Sequence, residues 1–212
     1  MPNDWVNLEN QVRAARLHDM DSIVRVCKGS YSDYVKPFEA DATGIIVPHV
    51  STAEEARQIV EWTRFQPLGK RAVDGGNTDG RYCLVPFADY LRHSNEERII
   101  ILQIESPEGL ANVEAIAAVP GFDGFMFGPA DYSHRIGQPG QVEAPEVVAA
   151  RRRVGAPGDG RGIDGDRGAS REAQTLRRLH GVREGLRPAG RAKPPGPKAP
   201  TTTRSRWTST ST

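Results

Sequence analysis

The stretch Ile99-Ile100-Ile101-Leu102-Gln103-Ile104-Glu105 is an almost unbroken apolar run that ends on a carboxylate. A second run, Phe125-Met126-Phe127-Gly128-Pro129-Ala130-Asp131, ends in the same way. Short apolar runs bounded by turn residues are typical of buried parallel strands. A carboxylate at the end of such a strand is costly to bury unless a partner offsets its charge. The two runs therefore predict neighbouring parallel strands that end near Glu105 and Asp131.

These two carboxylates also predict a kind of chemistry. The carboxyl ends of the strands of a β/α barrel meet at one rim, and barrel enzymes carry their catalytic groups there. Two converging carboxylates suit a hard divalent cation. Glu105 and Asp131 thus predict metal-dependent catalysis. Without a metal, Glu105 would be a carboxylate at the helix start near Ser106, and Asp131 would cap a short helix at Tyr132 and Ser133.

Strand-like and helix-like segments alternate through the first 150 residues. The predicted strands cover residues 22–26, 44–48, 70–73, 99–105 and 124–128. Helices are predicted to begin after two pairs of capping residues, Asn3 with Asp4 and Ser51 with Thr52, and after Ser106, which a proline follows. Such alternation implies parallel pairing with right-handed crossovers. The predicted fold class is α/β, an incomplete TIM (β/α)8 barrel with about five parallel strands, too few to close a barrel of eight.

The composition changes after about residue 150. Residues 151–212 contain 13 Arg and 2 Lys against 3 Asp and 2 Glu, a net charge of +10, so the first 150 residues carry −9 of the total of +1. This segment has only six Leu, Ile, Val or Phe residues, too few to bury a core. We predict a partial β/α-barrel domain at 1–150 and a basic, disordered Arg/Gly/Pro-rich tail at 151–212, with a short helix near 171–179.

The surroundings of the protein can be predicted from what the sequence lacks. Two cysteines, Cys27 and Cys83, are too few for a disulfide framework and favour a reducing compartment. No apolar stretch approaches the roughly 18 residues of a membrane span, and the first residues do not form a secretory leader. We expect a cytoplasmic protein without a membrane partner. Nucleic-acid binding by the tail is not favoured, because charge alone supports it and Trp207 is its one aromatic residue.

Five segments carry a resemblance to a known family, and they occur in the family's order. They are Ile23-Val24-Arg25-Val26, Gly44-Ile45-Ile46-Val47-Pro48-His49-Val50, Pro67-Leu68-Gly69-Lys70-Arg71, Gln103-Ile104-Glu105-Ser106 and Gly128-Pro129-Ala130-Asp131-Tyr132-Ser133. Over residues 1–150 the chain resembles the HpcH/HpaI family of class II, metal-dependent 2-oxo-acid aldolases, within the pyruvate/phosphoenolpyruvate barrel superfamily.

The resemblance implies roles for individual residues. Glu105 and Asp131 would be the metal ligands, for Mg²⁺, Mn²⁺ or Co²⁺. Arg25 would be the catalytic arginine that contacts the keto oxygen of the substrate. The substrate-binding groups would be Gln103 and the backbone at Gly128 and Ala130.

The resemblance also implies an activity. Family members cleave or form a carbon–carbon bond next to a pyruvate unit, here the cleavage of a 4-hydroxy-2-oxo acid to pyruvate and an aldehyde. A citrate-lyase-type cleavage of an acyl-CoA ester is one alternative, and a non-catalytic chain that associates with intact homologues is another. Homo-oligomers are expected for the family, but an incomplete barrel makes one doubtful for this chain.

Two departures from the family pattern affect these expectations. Family members carry an Asp-x-Glu-His segment just before the helix that begins here at Asp4, and its histidine transfers protons. The resemblance therefore implies an N-terminal truncation, and the tail composition suggests a shifted reading frame where closing elements would follow. We expect a poorly folded, weakly active or inactive chain. His49, after Pro48 at a neighbouring strand end, is a weaker candidate for the missing base.

Overall fold

The computed structural model of the chain describes residues 4–155. The strands are β1 (Ile23–Arg25), β2 (Gly44–Val47), β3 (Ile99–Ile104) and β4 (Gly124–Phe127). The helices are α1 (Trp5–Leu17), α2 (Tyr31–Glu39), α3 (Ala53–Thr63), α4 (Phe87–Glu97), α5 (Pro107–Ala111), α6 (Val113–Ala117), α7 (Pro129–Arg135) and α8 (Pro145–Val154). The predicted helix near 171–179 and most of the predicted tail lie outside the described residues.

The four strands form one parallel sheet in the order β1-β2-β3-β4. Adjacent strands are joined in register at Ile23 and Gly44, Ile45 and Ile100, and Leu102 and Phe125, among other pairs. Strands linked by helices and paired in parallel confirm the predicted α/β class. Among the described residues there are four strands, so the prediction of about five was one too many.

The predicted strand at 70–73 is wrong. The backbone amides of Lys70 and Arg71 donate to carbonyl oxygens at the end of α3, those of Glu61 (2.6 Å) and Arg64 (2.9 Å). The amide of Ala72 donates to the hydroxyl of Tyr31 at 2.8 Å. With these donors already satisfied, the segment does not enter the sheet, and β2 pairs directly with β3.

The side chain of Arg71 explains why this segment is fixed without being a strand. Its guanidinium is 1% exposed and forms a 2.8 Å ion pair with the fully buried carboxylate of Asp79. It stacks over the ring of Phe65, 4.7 Å from the centroid, and the hydroxyl of Tyr90 donates to Asp79 at 2.8 Å. Burial, together with the neighbouring Asp79 carboxylate, raises the pKa of Tyr90 above its usual value. We call Arg71, Asp79 and Tyr90 the buried ion cluster.

The sheet packs its helices against one face. The residues on that face are Ile45, Val47, Ile100, Leu102, Ile104, Phe125 and Phe127, which join the main core with apolar residues of α2, α3, α6, α7 and α8. Alternation places the other strand residues on the opposite face. There Ile99 and Ile101 form a small separate cluster with Ile46. At the edge strands, Ile23 and Met126 remain 41% and 40% exposed. Helices on one side and a less covered inner face are what a segment of a barrel wall would show.

The helix starts follow the predicted caps. The side chain of Asp4 accepts from the amide of Asn7 at 2.8 Å, Thr52 caps α3 and Ser106 caps α5, with Pro107 in its first turn. The helix predicted to begin after Ser106 is divided into α5 and α6, separate helices that meet at Asn112.

The last described helix crosses the predicted domain boundary. α8 continues through Val154, four residues beyond residue 150, and Val154 is buried in the main core. No helix within residues 4–155 is long and apolar enough to span a membrane.

Candidate active site

Glu105 directly follows β3 and is the most buried ionisable group at the carboxyl end of the strands, with 0% exposure. Its Oε1 accepts a hydrogen bond from the backbone amide of His49 at 2.9 Å. Its Oε2 is buried without a hydrogen-bond partner. Burial raises the pKa of Glu105, against the lowering effect of the hydrogen bond from His49. A buried carboxylate with one free oxygen is an arrangement that a cation would stabilise.

Gly128 lies against this carboxylate. A Cβ atom at position 128 would come within 2.5 Å of Oε2 of Glu105 and 2.9 Å of Nε2 of Gln103, so only glycine permits this approach. The amide of Gly128 already donates to the carbonyl oxygen of Ile104 at 3.0 Å. The predicted role of Gly128 in substrate binding therefore rests on the space that it leaves, and its amide is not a free donor.

Asp131 and Ala130 lie in the first turn of α7, directly after β4. Asp131 is exposed, and its charge is close enough to contribute to the raised pKa of Glu105. The first hydrogen bond of this helix runs from the amide of Tyr132 to the carbonyl oxygen of Gly128 at 3.0 Å. The amides of Ala130 and Asp131 precede it and have no acceptor within the helix.

Arg25 is the last residue of β1 and is exposed. Its Nε donates to Oε1 of Gln103 at 3.3 Å, which joins β1 to the buried end of β3. A strand-end arginine beside a buried carboxylate could form a structural ion pair with it, here with Glu105. Within residues 4–155 the structure pairs the guanidinium with Gln103 instead, although the charge of Arg25 still lowers the pKa of Glu105.

The donor set fits a divalent cation, although the described residues do not form a complete cage. No group of three His, Cys, Asp or Glu side chains within 4–155 is clustered closely enough to hold a metal. Two carboxylates, one of them with a buried and unpartnered oxygen, would leave the other coordination positions of a bound cation to substrate and water. One rim of the sheet thus carries a positively charged, a neutral polar and two negatively charged side chains, those of Arg25, Gln103, Glu105 and Asp131.

Comparison with known proteins identifies the family. The family description "HpcH/HpaI aldolase/citrate lyase" matches residues 4–178. The chain belongs to this family. The hydroxypyruvate/pyruvate aldolase of Delftia acidovorans is 38% identical over 154 residues, 72% of this chain and 56% of that protein. The 2-keto-3-deoxy-L-rhamnonate aldolase of Salmonella gallinarum is 34% identical over 69% of this chain and 54% of that protein.

Solved structures agree with membership of the HpcH/HpaI family. A family protein from Burkholderia cenocepacia superposes with a TM-score of 0.69 at 29% identity, covering 87% of this chain and 80% of that one. The aldolase from Desulfitobacterium hafniense gives 0.68 at 25% identity. The predicted family and fold are confirmed. The chain spans about half the length of the aldolases from Delftia acidovorans and Salmonella gallinarum.

The raised pKa of Glu105 predicts how this family member responds to pH. A raised pKa in the folded state means that the protonated form is favoured by folding, so this contribution to stability is lost as pH rises through the folded pKa. In metal-free buffer at pH 7, Glu105→Gln should therefore raise the melting temperature, and the gain should shrink towards acidic pH. Glu114→Gln is the control. The hydrogen bond from Arg153 lowers the pKa of that exposed carboxylate, so this substitution should lower the melting temperature at pH 7. Melting curves from pH 4 to 8 with chelator would contradict this if Glu105→Gln were destabilising throughout.

Proposed function

We propose that the rim of this sheet serves a metal-dependent carbon–carbon lyase, which cleaves a 4-hydroxy-2-oxo acid to pyruvate and an aldehyde. The observation that carries the proposal is the buried Glu105 with its unpartnered Oε2, in a chain of an aldolase family. Relatives named for hydroxypyruvate, pyruvate and 2-keto-3-deoxy-L-rhamnonate support a 2-oxo acid as the substrate class. The particular aldehyde is not part of the proposal.

Glu105 and Asp131 are the proposed metal ligands. Both offer carboxylate oxygens, which Mg²⁺, Mn²⁺ and Co²⁺ accept. A cation held there would act as a Lewis acid towards the keto oxygen of the substrate. The buried position of Glu105 limits competition from water for its charge, and the exposed position of Asp131 keeps the other side of the site open to substrate.

Arg25 is proposed to stabilise the negative charge that develops on the keto oxygen when the bond between carbons 3 and 4 breaks. Preorganised donors at such a position lower the barrier because they need no reorganisation during the reaction. Gln103 engages the Nε–H of Arg25 and orients the guanidinium. The terminal nitrogens of Arg25 form no further hydrogen bond within the described residues, so they are available to the substrate.

The start of α7 is the proposed binding position for the substrate carboxylate. The amides of Ala130 and Asp131 are donors without an intrahelical acceptor, and the missing side chain at Gly128 lets a small acid approach them. Gly128 lies directly before α7 and against the carboxylate of Glu105. A substrate whose carboxylate is bound at the start of α7 would therefore have its keto group near Glu105.

The proposal is tested by pyruvate release from a 4-hydroxy-2-oxo acid, followed with lactate dehydrogenase and NADH. We expect release that requires Mg²⁺, Mn²⁺ or Co²⁺, stops with EDTA and returns with excess metal. Turnover by the chain alone should be low, because β1 and β4 are open edges within the described residues. Release that persists unchanged in EDTA, or Mn²⁺ that fails to bind, would contradict the proposal.

Two controls separate the alternatives. An acyl-CoA ester offered in place of the oxo acid tests the citrate-lyase-type reaction, and preferential cleavage of that ester would favour it. Co-purification with an intact family member tests the non-catalytic, associating chain. Co-purification without turnover by the chain alone would favour that alternative, whereas turnover by the chain alone supports the lyase assignment.

A further inference from the structure

His49 occupies an unusual backbone position beside Glu105. Its φ angle is +57°, in the left-handed region that non-glycine residues rarely adopt. Such conformations persist where the surroundings determine them, and they are found disproportionately at functional sites. His49 lies in the turn between β2 and α3, residues 48–52, which we call the rim turn.

Hydrogen bonds hold the rim turn from several sides. The carbonyl oxygen of His49 accepts from Nζ of Lys28 at 2.9 Å, and the amide of Val50 donates to the carbonyl oxygen of Gln103 at 3.2 Å. Asn112, at the break between α5 and α6, donates to the carbonyl oxygen of Ser51 at 2.8 Å. Three different parts of the chain therefore fix this turn.

Glu55 completes the hold on the rim turn. Its carboxylate accepts from the amide of Ser51 at 2.8 Å and from Nζ of Lys28 at 2.5 Å. Burial alone would raise the pKa of Glu55, but the bonds from Lys28 and Ser51 hold it below its usual value. The same lysine thus joins Glu55 to the carbonyl oxygen of His49, and the left-handed residue has little freedom to relax.

The result of this arrangement is that the two oxygens of Glu105 differ. The backbone amide of His49 donates to Oε1 at 2.9 Å, and Nδ1 of the same residue lies 2.8 Å from that oxygen, outside ideal hydrogen-bond alignment. Oε2 is buried and has no partner. One oxygen accepts the amide hydrogen bond and lies close to the imidazole of the same residue, while the other has no partner and lies beside Gly128.

We propose that His49 is a positioning residue for the metal ligand Glu105. Its amide donates to Oε1 and its imidazole lies against the same oxygen, so that Oε2 is the oxygen presented to the divalent cation. This assignment rests on the proposed metal site and adds to it a residue without which Glu105 would rotate. Outer partners of metal-binding carboxylates typically contribute 10–100-fold to affinity.

Two substitutions separate the imidazole from the backbone. His49→Gly accepts the left-handed φ and keeps the amide bond to Oε1, but it removes Nδ1. His49→Asn also tolerates this backbone, and its side-chain amide can occupy the place of Nδ1. His93→Asn, on α4 near Arg98 and Asp41 at the opposite end of the strands, controls for the loss of a histidine.

The readout is Mn²⁺ affinity of the 212-residue chain, measured from the EPR signal of free Mn²⁺ and by calorimetry. We expect His49→Gly to weaken binding by about 10–100-fold, while His49→Asn and His93→Asn stay close to the unsubstituted chain. A role in folding alone would change the melting temperature and leave Mn²⁺ affinity unchanged. That result, or an equal loss in His49→Asn and His49→Gly, would overturn the assignment.

The proposed function fails in a different way. If the unsubstituted chain and Glu105→Gln both bind no Mn²⁺, the metal site itself is absent and the role of His49 is overturned with it. If the unsubstituted chain binds Mn²⁺, Glu105→Gln does not, and His49→Gly binds normally, the metal site stands and only the role of His49 is rejected.

Discussion

Asp131→Ala is expected to abolish measurable Mn²⁺ binding and to lower metal-dependent pyruvate release on the order of 10³-fold. A metal ion contributes several kcal/mol of charge stabilisation to such reactions, and each 1.36 kcal/mol corresponds to about tenfold in rate. With Asp131 removed, Glu105 alone would have to hold the cation, and its raised pKa already shows how poorly its charge is solvated there. The measurements are Mn²⁺ titration by EPR and the coupled pyruvate assay.

Asp89→Ala provides a matched control for Asp131→Ala. Both aspartates are exposed and are the third residue of their helices, α4 and α7. Each substitution removes a first-turn carboxylate, which contributes about 0.3–1 kcal/mol to a helix. If Asp131 acts only on its helix, the two variants will lose similar stability and both will bind Mn²⁺. Normal metal binding by Asp131→Ala would contradict its assignment as a ligand.

The strands could be predicted because their apolar runs leave few alternatives. All six residues of β3 are buried, and no amphipathic helix would show six consecutive buried residues. The segment 70–73 was misread for the opposite reason. It is short and carries Lys70 and Arg71, and its pattern does not reveal that its amides donate to α3 instead of to a strand. A local pattern predicts an element, but the competition for its hydrogen bonds is decided by tertiary contacts.

Two helices were not predicted, although one of them carries a visible signal. Ser30 and Asp33 form a capping box at the start of α2, and Tyr34 and Phe38 follow at helical spacing on its buried side. Pro37 within the helix weakens that pattern, because proline is rare in helix interiors. α4 lacks a side-chain cap, since its N-cap residue is Pro86, and only two of its residues are buried.

The candidate site, too, could be predicted from the sequence only in part. Its position could be predicted, because parallel strands bring their carboxyl ends to one edge and both Glu105 and Asp131 follow strands. The contact between His49 and Glu105 could not, since the two residues are 56 positions apart. The left-handed backbone of His49 depends on Lys28, Gln103 and Asn112 together, and none of these contacts has a local signature. The sequence therefore offered His49 only as a weak candidate for a base.

Asp79→Ala is expected to lower the free energy of unfolding by about 3–5 kcal/mol, the typical cost of breaking a buried ion pair. The guanidinium of Arg71 would be left 1% exposed without its carboxylate, and the hydroxyl of Tyr90 would lose its 2.8 Å acceptor. Domains have a net stability of about 5–15 kcal/mol. The substitution could therefore unfold a chain of low stability, and urea unfolding should be followed by circular dichroism at several temperatures.

The double variant Arg71→Met, Asp79→Ala shows whether the buried charge is the cause. Methionine can occupy the space between the rings of Phe38 and Phe65, which lie 5.7 and 4.7 Å from the guanidinium carbon. Because neither charge of this pair then remains buried, the double variant should recover much of the lost stability. Asp89→Ala, which breaks the exposed pair with Arg92, should cost less than about 1 kcal/mol. Recovery of stability in the double variant would indicate that Arg71, in the segment 67–71, is a structural residue that fixes the chain after α3. Equal losses of stability in the single and double variants would refute that explanation.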